Sequence, residues 1–153
     1  LMKKLSTIFG LLLSIIVTTS CTNGHNNDLP KNPDDNSCYS GTMNVDQNDG
    51  TFYTQDAVEV DYEIKGDKLN FVMYKVKFAS GMPIKLDMVV EGVDYETYDT
   101  GCYTISCDSI VPYAMGSPFE KFTITNLTGK ITNDTMTLNF MCGEYPVTYD
   151  GTK

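Results

Sequence analysis

Along most of the chain, apolar and polar residues alternate one for one. Val58, Val60, Tyr62 and Ile64 are interleaved with Glu59, Asp61 and Glu63, and Ile84, Leu86, Met88 and Val90 with Lys85, Asp87, Val89 and Glu91. Met136, Leu138 and Phe140 alternate with Thr137 and Asn139, and Val147 and Tyr149 with Thr148 and Asp150. A period of two with one apolar face predicts antiparallel strands, each with one side on a core and the other in water. Turn signals punctuate the pattern at Asn48-Asp49-Gly50, Lys65-Gly66-Asp67, Ser80-Gly81-Met82-Pro83, Thr100-Gly101, Thr128-Gly129-Lys130, Asn133-Asp134 and Cys142-Gly143-Glu144. Such regular spacing belongs to an all-β sandwich or barrel. Strands are expected near 38–45, 56–64, 68–78, 84–91, 101–107, 121–128, 134–141 and 145–151. Eight in up-and-down order, with short connections, is the usual number for a small closed antiparallel barrel. Between Leu69 and Phe78 the phase changes: Leu69 and Phe71 share one parity, and Val72, Tyr74, Val76 and Phe78 the other. A β-bulge near Phe71 accounts for that change. Pro112 and Pro118 make 109–120 a loop rather than a helix.

The first residues follow a different plan. Lys3 and Lys4 precede an apolar run from Ile8 to Val17, and Thr18-Thr19-Ser20 stand directly before Cys21. The order of charge, apolar run and small residues is that of a secretory signal peptide. As a helix the run would reach only ~15 Å, about half of a bilayer's hydrocarbon core, so it is not expected to remain as a span. Small residues against a cysteine resemble the lipobox of bacterial lipoproteins, with Thr18 where Leu is usual. Residues 1–20 are therefore expected to be removed and Cys21 to carry the membrane anchor. One acyl chain holds a protein only marginally, so the anchor needs more than one. From Cys21 to Asn36 the chain is polar, rich in Asn and Asp, and broken by Pro30 and Pro33. It cannot build a core and reads as a flexible tether. His25 lies there, and a lone tether histidine is expected to be solvated rather than a metal ligand.

Charge narrows the partners. With Lys3 and Lys4 removed, nine lysines face 20 acidic residues, a net charge of −11, and there is no arginine. Such a chain lacks the basic patch and the bidentate fork that nucleic-acid binding uses. It is also repelled by anionic lipid surfaces, which leaves the acyl anchor to hold it at its membrane. The 117 residues from Ser37 to Lys153 suit one domain.

Several segments resemble the calycin-like β-barrel domain of lipoproteins from gut anaerobes: Tyr39-Ser40-Gly41-Thr42-Met43, Val58-Glu59-Val60, and the Phe78-Ala79-Ser80-Gly81-Met82-Pro83-Ile84 turn. The likeness continues through Val89-Val90-Glu91-Gly92-Val93, Gly101-Cys102-Tyr103-Thr104-Ile105, Thr137-Leu138-Asn139-Phe140 and Thr148-Tyr149-Asp150-Gly151. It implies a lipocalin-like barrel over 37–153, a cell-envelope address at the outer membrane, and no catalytic residues to transfer. Calycins suggest small apolar ligands by analogy of fold alone. The cysteines depart from the family pattern.

The residues themselves give few chemical leads. Asp46-Gln47-Asn48-Asp49-Gly50 resembles the start of a calcium loop, but its glycine falls one place early and Ala57 stands where a bidentate Glu belongs, so a plain turn is expected. Glu59, Asp61 and Glu63 share the outer phase of one strand and read as a solvated face rather than a glycosidase pair. No histidine lies in the body, which removes Ser-His and Cys-His nucleophile arrangements there. No enzyme activity, metal or cofactor is expected. Asp108-Ser109-Ile110 and Asp134-Thr135-Met136 match an O-glycosylation pattern of exported proteins in those anaerobes, with Ser109 or Thr135 the acceptors.

Met43, Val60, Tyr62, Met88, Val90, Ile105, Leu138 and Phe140 are expected to point into the barrel. Two functions follow from them. If they wall an open cavity, the protein binds a small hydrophobic or aromatic ligand. If they fill the barrel, it is a structural or accessory subunit that docks on a larger envelope complex. With Cys21 lipidated, Cys38, Cys102, Cys107 and Cys142 remain in an oxidising compartment. Cys102 and Cys107 lie five residues apart on one strand, too far to pair. Strand ends then match Cys38 with Cys102 and Cys107 with Cys142.

Overall fold

The computed structural model describes residues 38–153. The expected signal peptide, Cys21 and the expected tether lie outside the described residues. Ten strands follow in chain order: β1 (Tyr39–Asp46), β2 (Phe52–Lys65), β3 (Lys68–Val76), β4 (Leu86–Asp99), β5 (Cys102–Ile110), β6 (Tyr113–Ala114), β7 (Ser117–Pro118), β8 (Ile124–Ile131), β9 (Thr135–Cys142) and β10 (Tyr145–Thr152). All pairings are antiparallel. The ladder runs β3-β2-β1-β10-β9-β8-β5-β4, and a further pairing of β3 with β4 closes these eight into a barrel. The short β6–β7 hairpin adds to the outer half of β4, where Met88 faces Ala114 and Val89 faces Tyr113. Residues 109–120, expected as a loop, thus hold two short strands, and a 3₁₀ turn follows at Glu120–Phe122.

Five register shifts interrupt the ladders: one leaves Tyr98 of β4 as an extra residue, and the other four curve the wall. Two residues oppose one at Asp56-Ala57 of β2, Tyr74-Lys75 of β3, Glu91-Gly92 of β4 and Asn126-Leu127 of β8. Ala57, Lys75, Gly92 and Asn126 take the positive φ that such kinks require. The bulges explain where the observed strands outrun the expected ones. Alternation breaks at Ala57, yet β2 continues back to Phe52. Alternation also breaks at Gly92, yet β4 runs on to Asp99.

The phase change in β3 has a different origin from the one expected. The bulge near Phe71 lies on β4, opposite Asn70, and β3 itself keeps Leu69, Phe71 and Met73 inward until Lys75. Val72 and Tyr74 therefore face outward, and parity flips only afterwards, bringing Val76 and Phe78 into the core. Beside this kink β2 and β3 part company, since their ladder ends at Val60 opposite Met73. The buried Gln55 side chain bridges the gap, its Nε2 donating to the Lys75 carbonyl at 2.6 Å.

Candidate functional site

The lumen is the first place to look, and it is full. Met43, Val60, Met88, Val90, Ile105, Leu138 and Phe140 are all buried, and with the partly buried Tyr62 they belong to one continuous core. Contact inside is close enough that a methyl on Gly129 would lie 2.8 Å from Leu138 Cδ2 and 2.9 Å from Ile105 Cγ1. Tyr149 fills the space that Gly151 leaves. Its ring lies against Gly151, and its hydroxyl reaches across β1 to donate to the Val58 carbonyl at 3.0 Å. Gly41, paired with both Gly151 and Val58, sits on that route. It also approaches the Asp150 carbonyl so closely that no side chain fits there. Burial pushes the Tyr149 phenol pKa well upward, with smaller contributions from Glu59 and Asp150.

Both ends are stoppered by aromatic rings. At the end where β1 begins, Tyr39 lies 6.2 Å from Tyr62, Tyr62 6.1 Å from Tyr103, and Tyr103 5.6 Å from Tyr95. The Tyr39 hydroxyl donates to the Thr132 carbonyl at 2.6 Å, tying β1 to the β8–β9 turn. At the opposite end Phe122 packs on Phe78 at 5.6 Å and on Phe119 at 4.9 Å. Such tilted and edge-on pairs add to the burial of their surfaces.

An open cavity lies outside the second stopper. It has a volume of about 570 Å³ and is lined by Ala79, Gly81, Met82, Pro83, Lys121, Phe122, Gly143, Glu144 and Tyr145. None of the eight residues expected to wall a ligand cavity lines it. The cavity comes from three turns, where hydrophobic alternation stops, so periodicity carried no signal for it. The phenylalanines beneath it were legible as apolar residues but not as a lid.

The cysteine pairing expected from strand ends is not formed. Cys102, Cys107 and Cys142 are free thiols. Cys38 and Cys102 do share one end, but β1 and β5 stand four places apart in a ring of eight, on opposite walls. Cys107 of β5 and Cys142 of β9 have β8 between them, a separation of about 10 Å against the 7 Å limit for a disulfide. Matching ends was necessary and not sufficient. The Cys142 thiol is buried 3.7 Å from the Phe122 carbonyl, and burial raises its pKa strongly. Cys107 is half exposed.

The acidic leads resolve into turns and a wall. Asp46 accepts from the Asn48 backbone N–H at 2.8 Å, and Asp49 from the Thr51 N–H and hydroxyl at 2.9 and 2.6 Å. Both carboxylates cap their own turn, and no metal-binding group is found among the described residues. Glu59, Asp61 and Glu63 do share the outer face, but Glu59 and Glu63 are half-buried and Asp61 is buried, a correction to the solvated face expected. Tyr74 lies among them, its pKa pushed up to about 12 by burial first and then by Asp61, Asp87 and Glu59. Ser109 and Thr135 are exposed, Thr135 sharing a 2.9 Å hydrogen bond with the Thr132 hydroxyl.

Elsewhere the outer wall is polar: Ser40, Thr42 and Asn44 on β1, Thr137 and Asn139 on β9, and Thr148, Asp150 and Thr152 on β10 face away from the core. This is the reverse of a membrane-spanning barrel, which is apolar outside and polar within.

The fold is thus an all-β, closed, eight-stranded antiparallel barrel with a packed interior. No protein-family model matches the chain, and no curated protein does. Among solved structures it is similar to a Bacteroides fragilis protein described as a "putative outer membrane protein". The two are 19% identical, with a TM-score of 0.52, over 76% of this chain and 50% of the other. The chain therefore spans about half the length of that protein, and the likeness is one of fold.

Proposed function

We propose that this protein is a non-enzymatic cell-envelope lipoprotein, held at the outer membrane by acyl chains on Cys21, that works as an accessory subunit docking through its outer surfaces. The observation that carries the reading is the filled lumen, with Met43, Val60, Met88, Val90, Leu138 and Phe140 in one packed core between two aromatic stoppers. A lumen-binding calycin needs room for a ligand, and these side chains take that room. The polar outer wall fits a barrel that sits in water, so that lipid on Cys21 does the anchoring. The structural likeness to the Bacteroides fragilis protein supports the envelope address, and the calycin-like segments support the same family of lipoproteins. Ser109 and Thr135 are open to glycosylation there.

A second reading is favoured by the cavity between the 79–83, 120–122 and 143–145 turns. Met82, Phe122 and Tyr145 give it an apolar and aromatic lining on which a small hydrophobic or aromatic ligand could rest.

Intact mass and dye titration test both. Protein from its native host should weigh more than residues 21–153 by several acyl groups, with glycan on Ser109 or Thr135 as a further increment. Cys21 recovered as a free thiol or in a disulfide overturns the anchor. An apolar dye should show no saturable uptake into the lumen. Uptake that Tyr145→Ala abolishes and Met88→Ala leaves unchanged selects the loop-end ligand instead.

A further inference from the structure

The cavity outside the phenylalanine stopper is framed by turns that hold one another in place. The Gln47 side chain ties the turn after β1 to the turn after β3, its Nε2 donating to the Phe78 carbonyl at 3.4 Å and its Oε1 accepting from the Ser80 N–H at 3.1 Å. Asn48 Nδ2 donates to the Glu144 carbonyl at 2.7 Å, and the Gly143 N–H donates to the Thr123 carbonyl at 2.9 Å. Met82, in the cavity wall, is itself pinned, since its sulfur accepts from the Phe78 N–H at 3.2 Å. A site fixed in this way before its ligand arrives loses little freedom on binding. Two opposite charges stand in the frame. Lys121 and Glu144 both line the cavity and both are exposed. Their backbones meet: Gly143, at φ +60°, lies so close to the Lys121 carbonyl that an added Cβ would be 2.7 Å from it. Side chains that leave from neighbouring points on the rim can reach the same small molecule. They do not neutralise each other, for among the described residues Lys68 and Asp94 form an ion pair and Lys121 and Glu144 do not. The Lys121 ammonium instead sits 5.7 Å from the centre of the Phe122 ring, at the cavity floor.

We propose that this cavity binds a free α-amino acid with an aromatic side chain, its carboxylate on Lys121, its ammonium on Glu144 and its ring against Phe122, Tyr145 and Met82. The assignment depends on the loop-end cavity being a ligand site at all, and it narrows the ligand to a zwitterion. Simpler ligands each meet an obstacle. An anion faces Glu144 and the excess negative charge of the chain, and a cation faces Lys121. A neutral hydrocarbon takes water from both charges and gives neither a partner, which costs free energy. A small molecule that carries both charges beside an apolar ring meets none of these.

NMR titration of the mature chain, residues 21–153, with phenylalanine, phenethylamine, 3-phenylpropionate and toluene tests this. Phenylalanine should bind about threefold more tightly than either singly charged analogue, the worth of one exposed ion pair, and about tenfold more tightly than toluene. Lys121→Gln should bring phenylalanine down to the affinity of phenethylamine, and Glu144→Gln should bring it down to that of 3-phenylpropionate. Each comparison is made between ligands within one variant, so a general loss of affinity does not imitate it. Tyr145→Ala should abolish binding of all four. Equal binding of the four, or tightest binding of a singly charged analogue, overturns the zwitterion and, where Tyr145→Ala still abolishes binding, leaves the cavity as a site for other ligands. No binding of any of them, or binding that survives Tyr145→Ala, overturns the cavity reading as well.

Discussion

Replacing Met88 with Ala measures how full the lumen is. Met88 is buried, sits on β4 between Met73 of β3 and Ala114 of β6, and belongs to the continuous core. The change removes three heavy atoms. At ~0.8 kcal/mol per buried methylene-sized group, lost transfer energy alone comes to about 2.4 kcal/mol. The wall is a hydrogen-bonded ring that collapses little, so a void term follows, and the total should fall within the roughly 2–5 kcal/mol seen for buried Met-to-Ala changes. A loss of about 3 kcal/mol lowers the melting midpoint of a domain this size by roughly 10–15 °C. Met88→Trp should destabilise as well, by overpacking rather than by a void. Urea titration of the wild type and both variants, with an apolar dye present in a parallel series, gives the numbers. The wild type should show no lumen uptake, and Met88→Ala the first trace of it. If Met88→Trp is as stable as the wild type and blocks saturable dye binding that the wild type possesses, the lumen is a pocket and the packing argument is refuted.

Three further outcomes follow from the same geometry. Tyr149→Phe removes the donor to the buried Val58 carbonyl beside the β2 bulge, and should cost about 1–3 kcal/mol in urea titration; a change under about 0.3 kcal/mol means the hydrogen bond contributes nothing. Tyr74 titrates at about 12 and Tyr149 is raised further, whereas unfolded tyrosine titrates near about 10. Between these values the unfolded chain has released protons that the folded chain still holds, so stability should be level below about pH 9 and fall as pH rises from about 10 to 12; a flat urea midpoint across that window would show the phenols to be ordinary. In native protein a thiol reagent should reach the half-buried Cys107 slowly and spare the buried Cys102 and Cys142, which should react after denaturation without reductant; recovery of a Cys107–Cys142 peptide would contradict the structure.

Much of the barrel was legible because alternation and turn residues act locally. The strands expected near 38–45, 134–141 and 145–151 are each displaced by a residue at most from β1, β9 and β10. Where the reading slipped, a bulge intervened. Non-glycine residues at positive φ, such as Ala57 and Lys75, carry no compositional mark, so the phase change of β3 was placed near Phe71 instead of at Lys75. Parity places a side chain inside but does not tell a lining from a filling. That distinction depends on summed volumes across eight strands, on Tyr149 lying over Gly151 and on rings meeting from distant turns. The cysteine pairing failed for a similar reason, since strand ends are read from order alone while wall positions need the closed ring.

The barrel closes by pairing its first strand with its last. β1 meets β10 in a ladder that brings Met43 opposite Tyr149, about a hundred residues apart in the chain, and every other element hangs between those two. Such a long-range seam makes folding slow, because the loop-closure entropy is lost before the contacts that offset it are made. It also sets an order of events. Until β10 has been synthesised, β1 lacks one edge partner, Tyr149 is missing from the core, and the chain cannot settle into a compact body. The seam is thus the last part of the ring that can form, and the barrel shuts only when the final strand is in place.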